Sequence, residues 1–269
     1  MSDSVEKIET THILTGKTAL ITGGSRGIGA AISKTLAKRG ANVVVNYFNN
    51  VTSANSVVSE INDYRNGNQL VGNAMAIQAN VTNAEQVDHM MNKILKTFGD
   101  IDILVNNAMI GRYFLKPFLE SKWDDFNEKF YDEMKAAYEI TRATLPGMLK
   151  NNYGRIVYIA TGSAKYPIPI GATAFGTAKA GLVAFAKYIA QEYGRNGIRA
   201  NIVSPGLIET DQNKNIISGF KQQFESVTTL GRAGKPEDVA KVVAFLVSDD
   251  AEYLTGTYLP VDGGFVIGG

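Results

Sequence analysis

No cysteine occurs among the 269 residues, which excludes disulfides, thiolate nucleophiles and cysteine-held metals. There are two histidines, His12 and His89, far apart and outside any ligand-spaced motif, so no metal site is expected. His89 falls in a polar helical pattern and reads as a surface residue. Neither sign of charge dominates. The 27 basic and 26 acidic residues leave a net charge of +1, and nothing points to nucleic acid or an anionic membrane. No apolar run approaches the ~20 residues of a membrane span. The first sixteen residues, MSDSVEKIETTHILTG, carry acids, no arginine and no long apolar core, so they read as neither signal nor transit peptide. A cytoplasmic protein is expected, with residues 1–16 as a flexible or partner-packed arm and 17–269 as one domain free of linkers and repeats.

What is present is an ordinary apolar fraction of 45% and abundant glycine. The organising stretch is Gly16–Gly40. An apolar run, Thr18 to Thr22, reads as a buried strand. Gly23, Gly27 and Gly29 then punctuate a turn, and a helix-period segment ends at Gly40. Glycine in such a turn lets a diphosphate approach the backbone, and the helix start adds unpaired N–H groups and its positive dipole end. Strand, turn and amphipathic helix together predict a dinucleotide-binding turn.

Strands are further expected at Asn42–Asn46, Ala74–Gln78, Ile101–Val105, Arg155–Ala160, Arg199–Val203 and Thr257–Val261. Helices are expected at Val51–Arg65, Ala84–Phe98, Trp123–Lys150, Ala172–Tyr193 and Pro236–Leu246. This alternation predicts a single-domain α/β Rossmann fold, a doubly wound parallel sheet of about seven strands with helices on both faces.

Several motifs stand in order: Thr22-Gly-Gly-Ser-Arg-Gly-Ile-Gly29, Asn106-Asn-Ala108, Lys179 at the start of a long helix, Asn201-Ile-Val-Ser-Pro-Gly206, and Leu230-Gly-Arg…Pro236-Glu-Asp-Val…Val261-Asp-Gly-Gly264. Through them the chain resembles the short-chain dehydrogenase/reductase family over about Gly16–Gly264, and most of all its 3-oxoacyl-carrier-protein reductase-like members. The resemblance implies cofactor contacts from Gly23, Ser25, Arg26, Gly27, Ile28 and Gly29, from Asn46 and Tyr47, and from Asn80-Val81 beside the adenine. It also implies Asn106, Asn107 and Ala108 along the cofactor, Lys179 at the ribose, and Pro205, Gly206, Ile208 and Thr210 against the nicotinamide. The second strand ends Asn46-Tyr47-Phe48-Asn49-Asn50 without the acid that grips a ribose 2′-OH. Arg26 in the glycine turn is suited to a 2′-phosphate. Both features predict NADPH over NADH.

The catalytic pattern departs from the family's. Members use Tyr-x-x-x-Lys, the tyrosine giving a proton to the carbonyl oxygen and the lysine lowering its pKa. Here the segment is Phe175-Gly-Thr-Ala-Lys179, so the tyrosine position carries no acidic hydrogen. The serine position falls to Thr161 counted from the fifth strand and to Gly162 counted back from Phe175, with Ser163 next in line for the hydroxyl, and the helical asparagine position falls to Glu133. Four readings stay open. One is an NADPH reductase with another proton source, such as water, Thr161, Tyr113 or Tyr166. The others are a substrate-trapping tyrosine-to-phenylalanine variant, a reductase of conjugated C=C bonds, and an NADP-binding protein without turnover. The C=C pattern is itself broken, because Ala172 stands where enoyl reductases have tyrosine.

The substrate pocket is expected from Ile110–Phe118, Thr161–Ile170 and Leu207–Val227, beyond the strand carboxyl ends. Met109, Tyr113, Tyr166, Ile168 and Leu207 make it apolar and suit a small apolar or acyl substrate. Lys116 and Lys165 are candidates for an anionic group. The resemblance implies a homotetramer, or a homodimer, joined through the helices at Trp123–Lys150 and Ala172–Tyr193.

Overall fold

The computed structural model describes residues 13–111, 115–167, 169–211, 213–214, 218–219 and 221–265. Tyr113 and Ile168 of the expected substrate pocket lie outside the described residues, as do His12 and the rest of the arm before Ile13. Seven parallel strands form one sheet: β1 Thr18–Ile21, β2 Asn42–Tyr47, β3 Ala74–Gln78, β4 Ile103–Asn106, β5 Gly154–Ile159, β6 Ile198–Pro205 and β7 Tyr258–Val261. Their order is β3-β2-β1-β4-β5-β6-β7. The order reverses between β1 and β4, whose residues pair Ala19 with Ile103 and Ile21 with Val105. Open α/β sheets take ligands at the carboxyl edge of that reversal.

Strand side chains alternate between two cores, as the period of two requires. Ala19 and Ile21 of β1 face one core, together with Ile32 and Leu36 of helix α1 (Gly27–Lys38), Val57 of α2 (Val51–Gly67) and Val243 of α7 (Pro236–Leu246). Leu20 faces the other, with Met90 and Ile94 of α3 (Ala84–Phe98), Ile140 of α4 (Trp123–Lys150), and Leu182 and Ile189 of α5 (Thr173–Tyr193). Helices α4 and α5 approach closely at Gly181, where a Cβ would lie 3.2 Å from Met134 Sδ.

Where caps are strong, sequence and structure share boundaries. The Asn83 side chain accepts the Gln86 N–H at 3.0 Å and starts α3, and Pro236 opens α7. Most boundaries move by one or two residues, and three differences bear on the site. β4 starts at Ile103 rather than Ile101, and just before it the Asp102 carboxylate accepts the Thr18 N–H at 2.9 Å. A short helix, α6 (Lys221–Val227), stands inside the stretch expected as a pocket loop. Leu14 is fully buried and its N–H donates to the Arg39 carbonyl at 2.9 Å, so packing of the domain begins before Lys17.

Candidate active site

The turn after β1 is fixed by backbone contact. Gly23 has φ +60°, and a Cβ on Gly29 would lie 2.2 Å from the Gly23 carbonyl oxygen. Only glycine permits this closure of turn onto helix. Asn107 clamps it from β4, donating its amide to the Thr22 and Gly23 carbonyls at 2.9 and 3.1 Å. The Thr22 hydroxyl in turn accepts the Asn107 and Ala108 N–H groups. Helix α1 then starts after its N-cap Arg26, with no side-chain cap and no acid in its first turn. Its leading N–H groups and dipole therefore suit an anion. This arrangement fits a dinucleotide diphosphate.

Around the turn, Arg26 is exposed, whereas Ser25, Ile28 and Tyr47 are half-buried. Asn46 is buried and its amide is spent inward. It accepts the Gly23 N–H at 3.4 Å and donates to the Ala79 carbonyl at 3.1 Å, so its contribution is to hold the turn in place. Asn80 accepts the Thr82 N–H and hydroxyl at 3.0 and 2.9 Å, and Val81 is buried beside it. Asn106 is buried with its amide nitrogen lacking a hydrogen-bond partner. On the far side, the Gly206 N–H donates to the Val261 carbonyl at 3.0 Å, and the buried Ile208 packs on Gly234. The Thr210 N–H is held by Asn213 at 2.8 Å. Pro205 ends β6.

The charged centre lies where α4 and α5 meet the end of β5. Lys179 donates to the Ile159 carbonyl at 2.9 Å and pairs with Glu133 Oε1 at 2.7 Å. Glu133, expected in the asparagine's place, also takes Lys129 on Oε2 at 3.0 Å. Lys129 donates as well to the Ile110 carbonyl, in the loop after β4. All three side chains are buried, at 6, 3 and 2% exposure for Lys179, Glu133 and Lys129. Burial pushes the Glu133 carboxyl up, but Lys179 and Lys129 together pull it further down, so it ionises below the ordinary carboxylate range. The centre thus brings two buried lysines onto one carboxylate. Lys129 escaped the sequence reading. The signal was available, since Lys129, Glu133, Ala136, Ala137, Ile140 and Thr144 share the buried face of α4.

Phe175 lies in the first turn of α5, its ring centroid 5.4 Å from Lys129 Nζ. Thr161 follows β5 and is half-buried, and its carbonyl accepts the Tyr258 phenol at 3.1 Å. That phenol also pairs with Ser204 Oγ at 2.7 Å. Burial pushes the Tyr258 phenol up, which the Ser204 hydroxyl partly offsets. Tyr258 is a second residue that sequence did not single out. It anchors the end of β5 from β7. The backbone of Ser163 abuts Gly176, one residue beyond Phe175. Met109 is exposed, while Leu207 and Tyr166 are half-buried, with the Lys165 ammonium 5.5 Å from the Tyr166 ring. Lys116 pairs with Asp125 at 3.8 Å, and its N–H donates to Gly171, joining two of the pocket loops. Among the described residues there is no acid–histidine cluster able to hold a metal, and no helix is long and apolar enough to cross a membrane.

Comparison with known proteins agrees with this geometry. The sequence model of the family described as enoyl-(acyl carrier protein) reductase matches residues 23–266. A 3-oxoacyl-[acyl-carrier-protein] reductase of Synechocystis sp. is 40% identical over 255 residues, covering 94% of this chain and 98% of that protein. The 3-oxoacyl-[acyl-carrier-protein] reductase FabG of Escherichia coli is 38% identical over 250 residues, covering 93% and 97%. A double mutant of a Serratia marcescens short-chain dehydrogenase/reductase superposes with a TM-score of 0.84 at 33% identity, covering 94% of this chain and 99% of that one. Motifs, strand order and relatives agree, and the chain belongs to the short-chain dehydrogenase/reductase family.

Proposed function

We propose that this chain is an NADPH-dependent reductase of ketones of the 3-oxoacyl type. The observation that carries the reading is Lys179, a buried ammonium held at the end of β5 by the Ile159 carbonyl and Glu133, in a sheet whose β1 turn is open to an anion. In this reading the turn from Gly23 to Gly29, with Ser25 and Ile28, holds the diphosphate on backbone N–H groups. Arg26 and Tyr47 meet the 2′-phosphate, since no acid stands after β2. Asn80 and Val81 border the adenine. Asn106, Asn107 and Ala108 line the path to the nicotinamide, and Pro205, Gly206, Ile208 and Thr210 close it. Lys179 takes the ribose hydroxyls. When bound, the cofactor supplies the hydride. The Thr161 hydroxyl, or that of Ser163, orients the substrate oxygen, and Met109, Tyr166 and Leu207 meet the acyl chain.

The names of the relatives support a 3-oxoacyl substrate. The description of the matching family supports reduction of a conjugated C=C bond as a second reading. Product analysis separates them, since a ketone gives a 3-hydroxyacyl thioester and an enone a saturated one. The unmodified chain is expected to consume NADPH with a 3-oxoacyl thioester. Binding of NADPH without turnover on any ketone or enone contradicts the reading. The cofactor assignment has its own test. Arg26→Ala is expected to lower NADPH affinity about tenfold or more while leaving NADH affinity nearly unchanged, in keeping with the loss of a charge-assisted bidentate contact. An unchanged ratio of the two dissociation constants refutes it. Exposed Tyr131 and Tyr138 of α4 and Tyr188 of α5 are candidates for contact in the homotetramer, or homodimer, that the resemblance implies.

A further inference from the structure

We propose that Lys129 is the proton donor of this site, delivering to the substrate oxygen the proton that the family's tyrosine would give. The proposal rests on the ketone-reductase reading above. Three observations carry it. Lys129 is buried on α4, yet its Nζ lies beside the Phe175 ring, at the position the resemblance assigns to the tyrosine. It is joined through one carboxylate to Lys179 on α5, with Nζ–O distances of 3.0 and 2.7 Å. Its remaining partner is the carbonyl of Ile110, in a loop expected to line the substrate pocket. A substrate carbonyl oxygen is an acceptor of the same kind, and exchanging one for the other puts the ammonium on the reacting oxygen.

Packing does not account for this lysine. Replacing a buried ion pair with apolar side chains is often neutral or stabilising, and a Lys placed four residues before a Glu is the weaker order on a helix. The chemistry does account for it. An alkylammonium, like a phenol, carries a proton that it can donate to a carbonyl oxygen as negative charge develops there. The charge also improves. Before transfer, Lys129, Glu133 and Lys179 together carry +1, and afterwards zero. Of the other carboxylates at this end of α4 (Asp124, Asp125, Glu128 and Asp132), Asp125 pairs with Lys116 and Asp132 lies beside Gly111.

In the proposed step the carbonyl π bond breaks as hydride reaches carbon. Its electron pair goes to oxygen, and oxygen takes a proton from Lys129 Nζ. The neutral amine that remains takes up a proton from solvent when the alcohol leaves the pocket. One ketone, one hydride and one proton give one alcohol.

The test compares the unmodified chain with Lys129→Met, Lys129→Arg, Phe175→Tyr and the Lys129→Met/Phe175→Tyr double variant on one 3-oxoacyl thioester. NADPH dissociation constants are measured by fluorescence alongside. Lys129→Met and Lys129→Arg are both expected to lower kcat by ~10²–10³-fold, with a much smaller change in NADPH affinity. Arginine keeps the charge but does not release a proton. Tyrosine at 175 is expected to restore Lys129→Met at least about tenfold. In the NADP complex, the Nζ resonance of Lys129 is expected to move when the 3-hydroxyacyl product binds. Full activity in Lys129→Arg overturns the proposal, as does a loss in Lys129→Met that tyrosine does not restore. An inactive unmodified chain with an active Phe175→Tyr overturns it while leaving the reductase reading standing. If NADPH binds and neither form reduces any ketone, the reductase reading itself fails, and the role of Lys129 with it.

Discussion

The two ends of β5 carry clusters of the same formal composition and opposite character. At its start, Arg155 and the paired Arg199 of β6 share Asp249, each at 3.4 Å. At its end, Lys129 and Lys179 share Glu133. Each cluster has two cations and one carboxylate. The difference lies in the carboxylate. Asp249 is 77% exposed, and Glu133 is 3% exposed. Water and salt screen the first, which leaves guanidinium planes packed as structure, with Arg155 lying 3.9 Å over the Tyr153 ring. The second is cut off from water, so removing any one charge is felt by the other two. Coupled groups of this kind suit proton transfer.

The comparison is broken most sharply at the carboxylates. Glu133→Gln leaves two buried ammonium groups without a counter-charge and is expected to destabilise the fold by about 3–5 kcal/mol, read from the midpoint of urea unfolding. A loss below about 1 kcal/mol would mean that water reaches the triad.

A pH titration sharpens the same point. The Glu133 carboxyl is held below its ordinary value of 4.5. A carboxyl depressed in the folded state contributes stability that is complete above the unfolded value, and that stability is lost as pH falls through the depressed one. Unfolding of the unmodified chain is therefore expected to become easier as pH drops below about 4.5, and Glu133→Gln is expected to flatten that part of the curve. Parallel curves for the two proteins would contradict the assigned direction.

The smallest effect is expected at the exposed cluster. Asp249→Asn should cost less than about 1 kcal/mol, and less still in high salt. A loss as large as that of Glu133→Gln would remove the distinction between the two ends of the strand.

How much was legible follows the same division. The nucleotide half is written in backbone requirements, and backbone requirements select residue types. Gly23 and Gly29 are glycine because nothing else closes the turn, Asn83 starts α3, and Pro236 starts α7. Sequence therefore located these elements. It could not show that Asn46 turns inward to hold the turn, because that depends on where β3 lies beside β2. The catalytic half is written in tertiary contacts. Glu133 could be placed at the helical asparagine position by resemblance, but its pairing with both Lys129 and Lys179 depends on how α5 lies against α4. Tyr258 reads as an ordinary strand residue until β7 brings it under Thr161. Helix α6 is short and polar, and its seven residues carry too little periodicity to separate it from a loop.

The central claim is hydride transfer to a 3-oxoacyl carbonyl at a site without the family's tyrosine. It is tested most directly by incubating the unmodified chain with NADPH dideuterated at nicotinamide C4 and a 3-oxoacyl thioester, followed by mass spectrometry of the product. The account predicts a 3-hydroxyacyl thioester carrying one deuterium at C3. Unlabelled product, or recovery of the ketone alone while NADPH is demonstrably bound, would contradict it.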